Sequence, residues 1–264
     1  MLAATHAPSW AQEKLPIPPK DKGDPCCPPM PSLKHLDGRR IVFVANGAGS
    51  STIVSDNLSQ LNGDLGLHWT IKPVPWSRMD HVHKDIRDDA AQLKAAAQLA
   101  CWTAAIRRDA PKAEVTFVGH SVGARVVLAA AEIAGEKSVN RIILLHAAVS
   151  NVYDLGPALK ASRHGIDSFY SVEDGVLDEA SQTTGLADGL KTHAAGRVGF
   201  KAPSDPKEAQ AYRGLRQYRW TEDLCGSGGH YAWAIHHNLR KVVVPVMVTL
   251  PPEPIVAKLP PPKK

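Results

Sequence analysis

The most constraining feature of this chain of 264 residues is a ten-residue segment, Val115-Thr-Phe-Val-Gly119-His120-Ser121-Val122-Gly123-Ala124. A β-branched and aromatic run of strand type ends in Gly-x-Ser-x-Gly, and small and apolar residues of helical composition follow at once. A strand that turns directly into a helix around a serine is the sequence form of a nucleophile elbow. Such a turn holds the serine in a strained backbone conformation that lifts its Oγ clear of the sheet. Glycines two positions to either side leave room where a Cβ would strike the adjoining strand or helix. The helix then aims its first N–H groups at the same spot, which favours developing negative charge. The bland alternative is a tight strand–helix turn with an ordinary serine, and the surrounding pattern decides between the two.

That pattern alternates strands with helices. Arg40–Ala45 is a strand-like run that stops at the small-residue loop Asn46-Gly-Ala-Gly-Ser-Ser51. Trp69–Val74 is a second, and Pro73 puts it at an edge or a strand end. After Asp80 comes one long helical pattern carrying Ile86, Leu93, Ala97, Cys101 and Ile106 on one face, with Pro111 beyond its end. The helix behind the elbow closes near Gly135, and Arg141–Leu145, Asp167–Val172 and Gln217–Thr221 read as further strands. The expected fold is therefore α/β, a mostly parallel central sheet with helices on both faces. No internal repeat is visible.

Composition restricts the function. The formal charge is +5, which invites a nucleic-acid reading. Residues 1–40 hold six basic and four acidic residues, and 251–264 hold three and one, so the ends carry +4 of it. A near-neutral body lacks the basic face that phosphate neutralisation requires, so no nucleic-acid partner is expected. Fourteen of the 21 prolines lie in the same two ends, which favours extended, solvated tails. Three regions are expected: a proline-rich N-terminal tail over 1–38, a catalytic-type domain over 39–250 and a proline- and lysine-rich tail over 251–264. No stretch approaches eighteen apolar residues, so no transmembrane helix is expected. Ser9-Trp10-Ala11 fits the small-x-small pattern of a signal-peptidase site but has no basic region before it, and reads as the remnant of a leader of an exported protein. Of the four cysteines, adjacent Cys26 and Cys27 are unlikely partners for each other, Cys101 reads as a core residue, and Cys225 has no evident partner.

With the elbow, the strand order and three further segments taken together, residues 39–248 resemble the α/β-hydrolase superfamily, in particular its esterase- and lipase-like serine hydrolases. The resemblance implies the order Ser…Asp/Glu…His. Ser121 is then the nucleophile. Ser171-Val-Glu-Asp174-Gly-Val resembles the family's acid turn and puts the acid at Asp174, with Glu173 and Asp154 as rivals. Gly226-Ser-Gly-Gly-His230-Tyr, leading into an apolar helix, resembles the family's late Gly-His and makes His230 the base. His236 and His237 read as surface or packing residues, and His120 as a residue that packs or lines the site. The loop after the first strand would supply one oxyanion N–H from Ala48, and Val122 the second. Asn46 stands where the family often has His. That loop lacks the Lys-Ser/Thr of a phosphate loop. No pair of histidines with a nearby carboxylate reads as a metal site, and neither metal nor cofactor is implied.

Only about fifteen residues separate the strand ending near His146 from the next, too few for a large cap after the family's sixth strand. Residues 178–216 are longer than a bare strand–helix–strand unit requires, and either cover the site or decorate the surface. The expected function is hydrolysis of a carboxylic ester through an acyl-enzyme, with a small-molecule ester or acyl substrate. The alternatives are a triad acyltransferase or thioesterase and, from another class, a catalytically silent scaffold. The oligomeric state is not written in the sequence.

Overall fold

Strand β1 (Arg40–Ala45) is the pivot of the sheet. From it the chain runs outward to β2 (Thr70–Pro73), then crosses back past β1 to β3 (Glu114–His120). It continues in one direction through β4 (Arg141–Leu145), β5 (Ile166–Tyr170) and β6 (Leu215–Arg219). The result is six parallel strands in the order β2-β1-β3-β4-β5-β6. This is the expected mostly parallel sheet with helices on both faces, and the structure, a computed structural model, describes residues 33–77 and 82–249 of the chain. The proline-rich ends, Cys26, Cys27, Ser9-Trp10-Ala11 and Asp80 lie outside the described residues. Reversal of the winding direction between β1 and β3 opens a crevice at the carboxyl ends of these two strands, where ligands of open α/β sheets bind.

The central strands are nearly continuous apolar runs because both of their faces are covered. Ile41 and Phe43 point to one side, together with Phe117, Ile142 and Leu144, against α3 (Asp89–Asp109) and α4 (Gly123–Ala134). Val42 and Val44 point to the other with Val118, Ile143 and Leu145, against α1 (Ile53–Asp64) and the C-terminal helical residues Leu239, Val243 and Met247. Period-two alternation thus feeds two cores from one sheet. Leu33 and Leu36, ahead of the strands, are buried in the first. Pro73 ends the edge strand β2, where its missing N–H costs no sheet bond.

The single long helix expected after Asp80 is two. α2 (Val82–Arg87) ends at Asp88, whose side chain accepts the Ala91 N–H and caps α3. An aspartate able to satisfy an orphan donor outcompetes continuation of the helix. The buried stripe of α3 is also rotated from the expected one: Ala95, Ala96, Leu99 and Ile106 are buried, while Leu93 and Ala97 are only partly so. Cys101 is buried, as expected, but is disulfide-bonded rather than a free thiol; Cys225 is free and exposed.

Between β4 and β5 stands only α5 (Gly156–Ala161), so no large cap occurs there. After α6 (Gly175–Gln182) the extra chain contains α7 (Ala195–Val198) and α8 (Pro206–Ala211). It docks on the exit of β4, where Ala195 and Gly196 donate to the Val149 and Ala147 carbonyls at 2.8 Å each.

Candidate active site

Ser121 sits at the turn between β3 and α4 with φ +54°. A left-handed backbone is uncommon for serine, and strain of this kind is held by its surroundings. Here they are closely packed. A Cβ on Gly123 would lie 2.0 Å from the Ala45 carbonyl oxygen, and one on Gly119 would lie 2.7 Å from Ala124 Cα. The two glycines are there because β1, β3 and α4 meet closely enough to leave no room for a side chain.

Ser121 Oγ lies 3.0 Å from His230 Nε2, and His230 Nδ1 lies 2.8 Å from Asp174 Oδ2. Asp174 is fully buried and caps α6, its Oδ1 accepting the Leu177 N–H at 3.0 Å. Burial would raise the pKa of this carboxyl. Hydrogen bonds from His146 and His230 outweigh it, so the group is held below the ordinary carboxylate range and stays ionised. The rivals lie elsewhere: Asp154 is exposed and accepts the Gly156 N–H at 2.8 Å, and Glu173 is exposed beside the loop before His230. His236 lies 3.5 Å from Asp64, and His237 is exposed. The segment after His230 is a turn through Ile235 rather than an apolar helix, although Trp233 and Ala234 in it are buried.

His146, at the end of β4, is a member of the cluster that the sequence reading missed. Its Nδ1 lies 2.8 Å from the same Asp174 Oδ2, and its Nε2 accepts the Trp233 backbone N–H at 3.2 Å. The sequence offers no pair of histidines with a nearby carboxylate as a metal site; in the fold His146 and His230 share Asp174. His146, Asp174 and His230 have donor atoms close enough together to suggest a metal centre. The hydrogen-bond pattern argues otherwise. An Nε2 that accepts an N–H leaves the ring proton on Nδ1, so His146 Nδ1 donates to Asp174 and has no lone pair for a cation. His230 Nε2 is directed at Ser121. His120 is buried against both rings; its Nε2 faces the His230 carbonyl at 3.2 Å. Burial first, then the neighbouring His230 and His146, push its pKa down to about 3, so it is neutral at physiological pH.

The loop after β1 lies over the serine. Asn46 is turned away from it, exchanging hydrogen bonds with Ser55 at 3.0 and 3.2 Å at the start of α1, which accounts for an asparagine at that place. Asp85 of α2 holds the other end of the loop by accepting the Gly49 N–H at 2.7 Å and a proton from Ser77 Oγ. Ala48 and Val122 both border the cavity at Ser121, and among the described residues neither backbone N–H has a hydrogen-bond partner. That cavity measures about 110 Å³. Val82 and Ile86 of α2, Leu177 of α6 and Leu186 of the extra segment form its apolar walls. Among the described residues no Asp, Glu, Lys or Arg lines it. Part of the 178–216 segment therefore borders the site, and the rest packs behind it.

No protein-family model matches the chain, and no curated protein sequence does. Solved structures do align with it. One is a predicted CIB-like hydrolase from Thermoplasma acidophilum, at 16% identity over 79% of this chain and 84% of that one, with a TM-score of 0.45. A lipase-esterase related protein from Clostridium acetobutylicum aligns at 10% identity over 80% and 94%, with a TM-score of 0.45. A cutinase-like protein from Cryptococcus aligns at 12% over 78% and 91%, with a TM-score of 0.41. These are hydrolases of the α/β-hydrolase type. Among the described residues no helix is long and apolar enough to cross a membrane.

Proposed function

We propose that the protein is a serine hydrolase of carboxylic esters, with Ser121 as nucleophile, His230 as general base and Asp174 as its partner. The observation that carries this reading is the unbroken line Ser121 Oγ–His230 Nε2, His230 Nδ1–Asp174 Oδ2 at 3.0 and 2.8 Å, built on a strained serine beside two N–H groups that have no partner among the described residues. In the reaction His230 Nε2 removes the Ser121 proton as Oγ attacks the acyl carbon. The imidazolium so formed is balanced by the Asp174 carboxylate, while the Ala48 and Val122 N–H groups receive the oxyanion. Collapse of the tetrahedral adduct expels the alcohol, which takes the proton from His230. Water then repeats the sequence in reverse and frees the acid.

The cavity favours a short, neutral acyl group. An apolar cavity of roughly 150 Å³ admits benzene, so about 110 Å³ suits an acyl chain of about four to six carbons. A charged acyl group would lose its hydration against walls in which the described residues offer no Asp, Glu, Lys or Arg as counter-charge.

A fluorophosphonate probe tests the reading directly. Labelling of the folded protein that disappears in Ser121→Ala, together with hydrolysis of p-nitrophenyl esters that disappears in the same variant, is the expected result. Folded wild-type protein that is neither labelled nor active favours the scaffold instead. Transfer of the acyl group to an added alcohol or amine in preference to water favours the acyltransferase.

A further inference from the structure

We propose that His146 is a positioning residue for the base: by donating to the oxygen of Asp174 that also holds His230, it limits how strongly the carboxylate attracts a proton to His230. The inference rests on the proposed roles of Ser121, His230 and Asp174 and deepens them.

The geometry is specific. Asp174 accepts three N–H groups, two on Oδ2 from His146 and His230 at 2.8 Å each and one on Oδ1 from Leu177 at 3.0 Å. The first and second compete for one oxygen. Every donor that stabilises a carboxylate lowers its basicity, and a less basic carboxylate stabilises an adjoining imidazolium less. His146 cannot exchange roles with His230, because the Trp233 N–H occupies its Nε2. It is also held in place. Its backbone has φ +48°, its N–H donates to the Phe169 carbonyl at 2.9 Å, and Gly196 lies so close that a Cβ there would be 2.2 Å from the His146 carbonyl carbon. Two segments distant in sequence therefore fix its backbone, and the Trp233 N–H and Asp174 hold its ring.

Among the described residues the ionisable groups around His230 are few. The elbow contributes His120, with ring centroids 5.2 Å apart; β4 contributes His146, at 5.6 Å; its own loop contributes Tyr231, at 5.4 Å. The turn before α6 contributes Asp174 and the exposed Glu173. Of these, His146 touches the carboxylate as well.

His146→Phe removes the donor and keeps a ring of similar size. His146→Asn keeps a donor near the place of Nδ1 and tolerates the left-handed backbone. In His146→Phe the acid limb of kcat for p-nitrophenyl acetate should move to higher pH by roughly half to one unit, with KM little changed. The midpoint of the His230 ring resonances in an NMR titration should move with it, and His146→Asn should bring both most of the way back. A folded His146→Phe whose His230 midpoint stays put or moves down would falsify the proposal. So would a His146→Asn displaced as far as His146→Phe, since that effect would belong to packing.

Should His146→Phe fail to fold, the wild-type protein decides. It must show two strongly downfield Nδ1–H protons, and that of His146 must shift as His230 titrates; a single such proton overturns the idea. The NMR readout needs no turnover. Wild-type protein inert to esters and to fluorophosphonate would remove the hydrolase reading while leaving the coupling of the two histidines to be judged by itself.

Discussion

Asp174→Asn is the substitution whose cost follows most directly from the geometry. The carboxylate faces the ring that becomes positive in the transition state, with Nδ1 and Oδ2 2.8 Å apart. At an effective dielectric of about 20, unit charges at that separation attract by about 6 kcal/mol, an upper bound on what the charge supplies. At about 1.36 kcal/mol per decade, this corresponds to roughly four powers of ten in kcat. Partial solvent compensation lowers the expectation to about a thousand- to ten-thousand-fold. The amide also has no good orientation. With its oxygen at Oδ2 it accepts from both histidines, but its NH2 then meets the Leu177 N–H. Turned over, it presents donors to two donors, and His230 must adopt the wrong tautomer. The assay is kcat for p-nitrophenyl acetate well above the acid limb, with Ser121→Ala as the baseline and thermal melting as a check on folding. A folded Asp174→Asn that retained more than a tenth of wild-type kcat would refute the role of this carboxylate.

Asp85→Ala should lower kcat by about ten- to a hundred-fold with little effect on KM, because one charge-assisted hydrogen bond, worth about 1.5–3 kcal/mol, holds the Ala48 loop at Gly49; steady-state kinetics that left kcat intact would show that the loop is held without it. Stability should fall on acidification before the carboxylates titrate. His120 has a folded-state pKa of about 3, below the ordinary value near 6.5. The unfolded chain therefore takes up the proton first, and this stability is complete above about 6.5 and lost as pH falls towards about 3. Burial lowers the His146 pKa and acts in the same sense, whereas the depressed Asp174 adds stability that is lost only below the ordinary carboxylate value. Urea midpoints from pH 8 to 4 should thus flatten in His120→Gln, and an unaltered slope would contradict the assignment. Among p-nitrophenyl esters, kcat/KM should peak at about four to six acyl carbons and fall beyond, as the 110 Å³ cavity implies; a steady rise to long chains would mean that the walls formed by α2 and Leu186 open.

What was legible in the sequence was local. Gly119 and Gly123 mark a close approach of backbones that only glycine permits, and the apolar runs of β1, β3 and β4 announce strands covered on both faces. Asp174 is reached through the resemblance of Ser171-Val-Glu-Asp174-Gly-Val to the family's acid turn, with Glu173 and Asp154 as rivals; that it also caps α6 is visible only in the fold. The break between α2 and α3 was hidden, since the apolar spacing runs across it and only the cap at Asp88 divides it. His146 was hidden for a different reason. Nothing beside it in the chain distinguishes it from the other histidines; its backbone is placed by Phe169 and Gly196 and its ring by Trp233 and Asp174, all distant in sequence.

The two rings on Asp174 are nearly equivalent up to one contact. Each directs Nδ1 to the same oxygen at 2.8 Å, and each is shielded from water. They differ in what their Nε2 meets. For His230 it is the Ser121 hydroxyl at 3.0 Å, a proton that can leave; for His146 it is the backbone N–H of Trp233 at 3.2 Å, a proton that cannot. An amide N–H is no acid under these conditions, so His146 has nothing to abstract and the carboxylate's help is expressed only through His230. The proposed division into a base and a positioning residue thus follows from one hydrogen bond made by a residue three places after the base, which is why a scan for histidine and carboxylate spacing cannot supply it.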